Sequence, residues 1–245
     1  MLDSVRIVLL AYNEDDSISS VLTSVCDHLS SENFDYRVYV VNDGSTDMTR
    51  IIVEELSEKM PVTLLNHKTN LGVAQAFNTG LRKAVSDSSL NDVIVTMEAD
   101  GTSVTDLLTQ MANTISSGYD IVCASRYCDG GELPNFPWQR RLYSANANRL
   151  LRIFFPISGL SDYTLFYRAY RSSLLSNAIQ YYGSDFITST GFVSNAEILI
   201  KLRPFEPKVF EFPMVYDYSV KKSKSNMRVI SNIAEYIRIM LRLKL

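Results

Sequence analysis

Apolar residues in the first half of the chain fall into two alternating rhythms. Val5-Arg6-Ile7-Val8-Leu9-Leu10-Ala11 is a nearly continuous β-branched and apolar run, as in a strand covered on both faces. From about Asp16 the spacing becomes helical, with Ile18, Val21, Leu22, Val25 and Leu29 on one stripe. The alternation then repeats. Residues 37–41, 62–66, 92–97 and 120–124 read as strands, and residues 46–59, 73–85 and 104–117 as helices. Such alternation predicts βαβ units and a mostly parallel sheet, an α/β fold.

The second half is less regular. Residues 130–137 form a loop by their Gly and Pro content, and 138–155 read as a helix that stops before Pro156. Residues 163–170 look strand-like and 193–202 helical. A late strand over 209–218 is interrupted by Pro213, which places it at a sheet edge. Residues 228–245 close the chain as a helix. With no repeat and no low-complexity linker, the expectation is one unit over 1–226 and a tail over 227–245.

Charge sharpens that division. The chain of 245 residues carries a net −3, yet residues 221–245 hold seven basic side chains and a single acid, Glu235. The tail is therefore +6 and the preceding 220 residues sum to −9, which argues against a uniformly basic nucleic-acid binder. At 46% hydrophobic and 21% charged, the composition is that of a globular protein. No run approaches the roughly 18–20 apolar residues of a membrane span. Met1-Leu2-Asp3-Ser4 lacks the basic region and apolar block of a signal peptide. Cys26, Cys123 and Cys128 are odd in number without CxxC pairing, so a reduced, cytosolic compartment is expected.

Polar clusters follow four of the strands: Tyr12-Asn13-Glu14-Asp15, Asn42-Asp43-Gly44-Ser45-Thr46-Asp47, Glu98-Ala99-Asp100-Gly101 and Ser125-Arg126-Tyr127. Singly, each reads as a turn, a helix N-cap or a solvated strand end. Together they occupy the edge where open parallel sheets bind ligands, with acids on three and an arginine on the fourth. Carboxylates two apart at a strand end suit Mg²⁺ or Mn²⁺, which take oxygen ligands and bridge to phosphates. His28 lies in a helix pattern and His67 stands alone, which disfavours zinc and a serine-type triad. The absence of GxxxxGK[ST] and GxGxxG excludes P-loop and Rossmann dinucleotide signatures.

Ala11-Tyr12-Asn13-Glu14, Val41-Asn42-Asp43-Gly44-Ser45-Thr46-Asp47 and the segment Asn70 to Gly80 resemble the nucleotide-sugar half of inverting family 2 glycosyltransferases. Glu98-Ala99-Asp100 stands where that family carries its DxD metal motif. Ser125-Arg126-Tyr127, Gly130-Gly131, and Trp138 with Arg140, Ser144 and Asn148 are similar to the polyprenyl-phosphate branch, typified by dolichol-phosphate mannose synthases. So are Ser161-Asp162-Tyr163-Thr164, Arg168 to Arg171, the Glu197 helix and Ser223-Lys224. The resemblance covers roughly residues 5–228.

It implies a GT-A fold with a nucleotide-sugar donor, GDP- or UDP-hexose, and a polyprenyl phosphate acceptor. Ala11, Tyr12, Asn13, Glu14 and Ala99 would line the donor pocket, with Asp43 on the base and Gly72 allowing close backbone approach. Glu98 and Asp100 would hold the diphosphate through Mg²⁺ or Mn²⁺. Arg126, Arg140, Ser144, Arg168 and Lys224 would surround the acceptor phosphate and the leaving diphosphate. A phosphate acceptor is already anionic at neutral pH, its second pKa being about 6, and needs no strong base. A sugar-hydroxyl acceptor on a surface glycan, the alternative, needs a carboxylate base, for which Asp162, Asp185 and Glu197 are available. A non-catalytic nucleotide-sugar-binding subunit is the reading from another class.

Three positions depart from the family pattern: Glu98 replaces the first Asp of DxD, Thr164-Leu165-Phe166-Tyr167 replaces a small glycine-containing segment, and Tyr218 stands where relatives carry an arginine. In the tail, Ile230, Ile233, Ala234, Ile237 and Leu241 form an apolar stripe opposite Arg228, Ser231, Glu235, Arg238 and Arg242. That helix suits peripheral docking at the cytosolic face of an anionic membrane, and equally packing on the body or on a second subunit.

Overall fold

The computed structural model describes residues 4–220, 235–239 and 241–242. Seven strands form one sheet: β1 Val5–Ala11, β2 Tyr36–Asn42, β3 Val62–Asn66, β4 Val93–Glu98, β5 Ile121–Ser125, β6 Arg168–Arg171 and β7 Val209–Pro213. The helices are α1 Ile18–Ser31, α2 Thr49–Ser57, α3 Val73–Ser86, α4 Leu107–Ser116, α5 Trp138–Phe154, α6 Ser172–Tyr182 and α7 Ser194–Leu202. Strand order is β3-β2-β1-β4-β6-β5-β7. β6 pairs antiparallel with both β4 and β5, while the other pairs are parallel. The carboxyl ends of β1, β2, β4 and β5 therefore share one edge, as the strand-end clusters require.

The period-2 pattern sorts the core into two layers. Ile7, Leu9, Val38, Val40, Val93 and Val95 pack with α1 and α4 on one face. Val8, Tyr39, Val41 and Ile94 pack with α3, α6 and α7 on the other. The expected strand–helix order of residues 5–125 holds in the structure.

Three expectations for the second half change. The strand expected over 163–170 shortens to β6 at its end. Asp162 explains this, because its Oδ1 accepts the backbone N–H groups of Thr164 and Leu165 at 3.0 and 3.1 Å, taking them out of any ladder. Helix α6 follows directly, and its sequence did not announce it. The late strand ends at Pro213 and lies at the sheet edge, as the proline implied.

The boundary at 226/227 lies outside the described residues. Beyond it, residues 235–239 and 241–242 are helical. Glu235 accepts bonds from the Thr190 N–H and hydroxyl, Arg242 reaches Glu197 Oε1 at 3.0 Å, and Ile239 is buried in the core. Ile237 and Leu241 instead face outward at 51% and 65% exposure. Of the polar stripe, Glu235 and Arg242 thus bond to the body while Arg238 stays exposed. Among the described residues, no helix is long and apolar enough to cross a membrane.

Gly80 reports how closely α3 is pressed against the sheet. A Cβ there would run into Val8 Cγ1 and come within 3.0 Å of Val41 Cγ2. Gly→Ala inside a helix ordinarily stabilises by about 1 kcal/mol, whereas overpacking a tight core costs about 1–3 kcal/mol. Overpacking should win. Gly80→Ala is expected to lower the urea midpoint of unfolding without changing the slope; an unchanged or raised midpoint would show that α3 has room to move.

Candidate functional site

The half of the site at the ends of β1 and β2 is assembled by loops that bond to one another. Asp43 donates its N–H to the Ala11 carbonyl at 2.9 Å, joining the ends of β1 and β2. Asn13 takes the left-handed conformation that asparagine tolerates, φ 56°, and its Oδ1 accepts the Thr46 N–H at 2.8 Å. Glu14 donates its N–H to Thr49 Oγ1 at 2.8 Å. Ser17 links Glu14 to β4, its hydroxyl lying 3.1 Å from Glu14 Oε2 and 2.8 Å from the Ala99 carbonyl. Tyr12, Asn13 and Glu14 are half-buried around this junction, while the side chains of Ala11 and Ala99 belong to the core.

Asp43 organises the next loop. Its Oδ1 accepts the Leu71 N–H at 2.9 Å and a bond from His67 Nδ1 at 2.7 Å; its Oδ2 accepts the Gly72 N–H at 2.8 Å. A carboxylate only accepts, so His67 Nδ1 carries a hydrogen, and Nε2 lies 2.9 Å from Thr79 Oγ1. Gly72 needs its φ of 90°, and no atom lies within 4 Å of where its Cβ would stand. The sequence reading passed over His67 as isolated. Its signal was register: Asn42 pairs with Asn66 across β2 and β3, which makes residues 43 and 67 neighbours.

Glu98 and Asp100 meet at a threonine. Thr102 Oγ1 lies 2.6 Å from Asp100 Oδ1 and 3.2 Å from Glu98 Oε2, and the Thr102 N–H donates to Asp100 Oδ1 at 3.0 Å. These are hard oxygen donors two residues apart, with no imidazole or thiol among them. Among the described residues, no group of three or more His, Cys, Asp or Glu side chains converges as a metal cage. A carboxylate pair of this kind matches a cation that keeps several waters and completes its shell with substrate phosphates.

The half of the site at the end of β5 centres on a buried ion pair. Arg126, 8% exposed at the end of β5, donates from Nε to Asp162 Oδ2 at 2.8 Å and from Nη2 to Asp162 Oδ1 at 2.9 Å. Nη2 also reaches Thr164 Oγ1 at 2.7 Å. Ser144 and Asn148, on the inner side of α5, bond to Thr164 at 3.1 and 3.2 Å. Burial opposes ionisation of Asp162, but the Arg126 guanidinium and the surrounding N–H groups outweigh it and hold the carboxyl at about 2. Burial likewise opposes the charge on Arg126, and Asp162 more than restores it.

Two tyrosines on the segment leaving β7 complete this half. The Arg126 guanidinium sits 5.6 Å from the centre of the Tyr216 ring. Arg140, near the start of α5, donates to the Tyr218 hydroxyl at 2.9 Å and lies 5.6 Å from the centre of that ring. Tyr218 therefore holds Arg140 in place. Beside Arg126 opens a cavity of about 330 Å³, lined also by Tyr127, Glu132, Leu133 and Arg141.

Arg168 does not join this group. It is fully buried on β6 and donates to the carbonyls of Asn195 and Tyr163, both at 2.8 Å. A guanidinium committed to the core has no face for a phosphate. Lys224 lies outside the described residues. Of the carboxylates considered as bases, Glu197 is fully buried; burial favours its neutral form, but Lys201 and the Ser189 and Thr188 hydrogen bonds hold its pKa down. Asp185 is exposed in the turn after α6, where the neighbouring Gly183 carbonyl accepts from Arg82 near the end of α3.

Residues 6–178 match the sequence profile of Glycosyl transferase family 2. The chain is 28% identical over 240 residues to a dolichol-phosphate mannosyltransferase of Pyrococcus furiosus, covering 98% of this chain and 63% of that protein. It is 31% identical over 175 residues to a polyprenol monophosphomannose synthase of Mycolicibacterium smegmatis, covering 69% of this chain and 62% of that one. The chain thus spans about three fifths of the length of both relatives. Glucosyl-3-phosphoglycerate synthase of Mycobacterium tuberculosis, crystallised with Mn²⁺, uridine diphosphate and phosphoglyceric acid, superposes with a TM-score of 0.68 at 16% identity. That match covers 99% of this chain and 78% of the synthase, and it agrees with the GT-A fold.

The Arg126–Asp162 pair gives a signed expectation. The Asp162 pKa is depressed on folding, from 3.8 to about 2, so its contribution to stability is complete above pH 4 and fades as pH falls toward 2. Asp162→Asn leaves Arg126 buried without its counter-charge, which costs about 3–5 kcal/mol at neutral pH. The variant should also lose most of the wild-type slope of stability between pH 4 and 2, measured by urea unfolding across that range. An unaltered slope would mean that another group carries it.

Proposed function

The chain belongs to Glycosyl transferase family 2, and on that premise we propose that it transfers a hexose, with inversion, from a GDP- or UDP-sugar to a polyprenyl phosphate. Asp43, Tyr12, Asn13, Glu14 and the Gly72 loop receive the nucleoside; Glu98 and Asp100 hold Mg²⁺ or Mn²⁺ under the diphosphate. The bound cation supplies neutralisation of the negative charge that grows on the departing diphosphate. Arg126 and Arg140 receive the acceptor phosphate and orient one of its oxygens toward the sugar. The reading of a divalent cation is supported by the oxygen-only carboxylate pair and by the Mn²⁺ held in the fold neighbour.

The observation that carries the lipid-phosphate reading is the fate of the carboxylates. Asp162 is spent on Arg126, Glu197 on Lys201 and Arg242, and Asp185 stands beside the end of α3. None is poised as a base for a sugar hydroxyl, whereas arginines are poised for an anion that needs none. The names of both relatives point to the same acceptor class.

The surface next to these arginines suits a lipid. α5 exposes Trp138 at 70% and Ile153 at 63%, with Leu142 and Leu150 between them, Phe154 just after, and Arg141, Arg149 and Arg152 interspersed. The outward Ile237 and Leu241 of the tail, with exposed Arg238, add a second apolar and basic surface. Both have the composition of surfaces that dock peripherally on anionic bilayers. The protein acts, on this account, at the cytosolic face of a membrane.

The test uses the full chain with Mn²⁺, a panel of GDP- and UDP-hexoses and a short-chain polyprenyl phosphate. A lipid-linked sugar phosphate should form. Asp100→Ala should lower kcat by about 100-fold or more, the loss typical of removing transition-state charge stabilisation. Arg140→Ala should act mainly on the KM for the lipid phosphate. Product on a glycan hydroxyl but never on lipid phosphate would overturn this reading, and nucleotide binding without turnover on any acceptor would favour a non-catalytic subunit.

A further inference from the structure

Asp43 stands at the nucleoside end of the proposed donor site, and most of its carboxylate is already spoken for. An ionised carboxylate offers about four lone pairs, two on each oxygen. Oδ1 takes the His67 Nδ1 hydrogen at 2.7 Å and the Leu71 N–H at 2.9 Å, so both of its lone pairs are engaged. Oδ2 takes the Gly72 N–H at 2.8 Å, and among the described residues no second donor reaches it. A single lone pair is left over, and it belongs to Oδ2.

The arrangement is held from several sides. The His67 N–H donates to the Asn42 carbonyl at 2.9 Å, next to the Asn42–Asn66 pair that ends the β2–β3 ladder. Thr79 Oγ1, on α3, lies 2.9 Å from Nε2 on the other side of the ring. The 67–72 loop is also pressed onto Gly44, where a Cβ would run into the backbone of Thr69 and Asn70. The side chains of His67 and Asp43 are only 9% and 6% exposed. Oδ1 therefore has little freedom to exchange a partner.

That count discriminates between bases. Uracil has one ring N–H, set between two carbonyls, and it needs one acceptor. Guanine presents N1–H and the 2-amino group side by side, a pair of donors that a carboxylate meets with one lone pair on each oxygen. Oδ1 has none to give, because His67 has taken it. A guanine held at Asp43 would keep a buried donor without a partner and carry the full desolvation penalty of that group.

We propose that the donor is a uridine diphosphate sugar and that His67 is the positioning residue that sets this choice: by occupying Oδ1 it leaves Asp43 a single acceptor, which fits the uracil N–H and not the paired donors of guanine. This rests on the function proposed above, in which Asp43 receives the nucleoside, and it narrows the donor to one base. His67 touches no part of the nucleotide on this account and acts through Asp43.

Isothermal titration calorimetry of the full chain with UDP and with GDP, Mg²⁺ present, reads the two affinities without turnover. Their ratio is the informative quantity, since a general loosening of the fold weakens both alike. Wild type should bind UDP about tenfold more tightly than GDP or better, the typical worth of one hydrogen bond to a charged group. His67→Phe keeps a ring without the N–H, returns a lone pair to Oδ1, and should reduce that preference to about threefold or less. His67→Asn offers an N–H in the place of Nδ1 and should restore it. Thr79→Val unpins the ring from its other side, should lower the preference in the same direction, and decides the matter where His67→Phe does not fold. Equal or tighter binding of GDP by wild type overturns the proposal. So does an undiminished uridine preference in the folded His67→Phe or Thr79→Val variant, or a failure of His67→Asn to restore it. Wild type that binds neither nucleotide overturns the proposed donor site and this role with it, whereas a uridine preference without sugar transfer to any acceptor overturns the proposed function and supports this assignment.

Discussion

A guanidinium as deeply buried as that of Arg126 stays in place only if its charge is met, and Asp162 meets it through two short bonds. The rest of the acceptor half follows from that requirement. Asp162 is itself held from behind, because Glu211 on β7 accepts the N–H groups of Ser161 and Asp162 at 2.8 and 2.9 Å. The Asp162 carboxylate gathers Thr164 and Leu165 and shortens the strand that would have run through them. Thr164 then meets Ser144 and Asn148, which fixes α5 against the sheet. One neutralised charge thereby positions a strand end, a loop and a helix around a cavity.

The donor half depends on strand register more than on burial of charge. Parallel pairing of β1, β2 and β3 brings Ala11, Asn42 and Asn66 into line, so the loops that follow emerge side by side. Asp43 uses this adjacency to bind the 67–72 loop, and Ser17 uses the β1–β4 pairing to tie Glu14 to Ala99. Tyr216 reaches the Arg126 guanidinium from the segment after β7, two strands beyond β6.

Much of this was legible in the sequence for physical reasons. Hydrophobic periodicity reports directly on elements covered by other elements, so β1 to β5 and their helices read clearly. The clusters at Asn13, Asp43, Asp100 and Arg126 announced themselves because polar residues interrupt apolar runs at strand ends. Charges buried in the core give no such signal. Arg168 looks like any basic residue beside a strand, yet its hydrogens go to two backbone carbonyls. Periodicity in the tail identifies a helix with two faces, but not which face is turned inward. A buried carboxylate at Glu197 and the Thr190 N–H draw Arg242 and Glu235 to the body, leaving Ile237 and Leu241 outside. His67 and Tyr216 depend on register between strands distant in sequence, and a single chain does not display register.

The central claim is that a metal-bound nucleotide and a phosphate acceptor face each other across one cleft. Phosphorus-31 relaxation of a short-chain polyprenyl phosphate, recorded on the full chain with a nucleoside diphosphate and Mn²⁺, tests that arrangement directly. The account predicts strong paramagnetic broadening of the lipid phosphate signal, absent when Mg²⁺ replaces Mn²⁺ and lost in Asp100→Ala. A lipid phosphate that binds the protein while its signal stays sharp beside bound Mn²⁺ would contradict it.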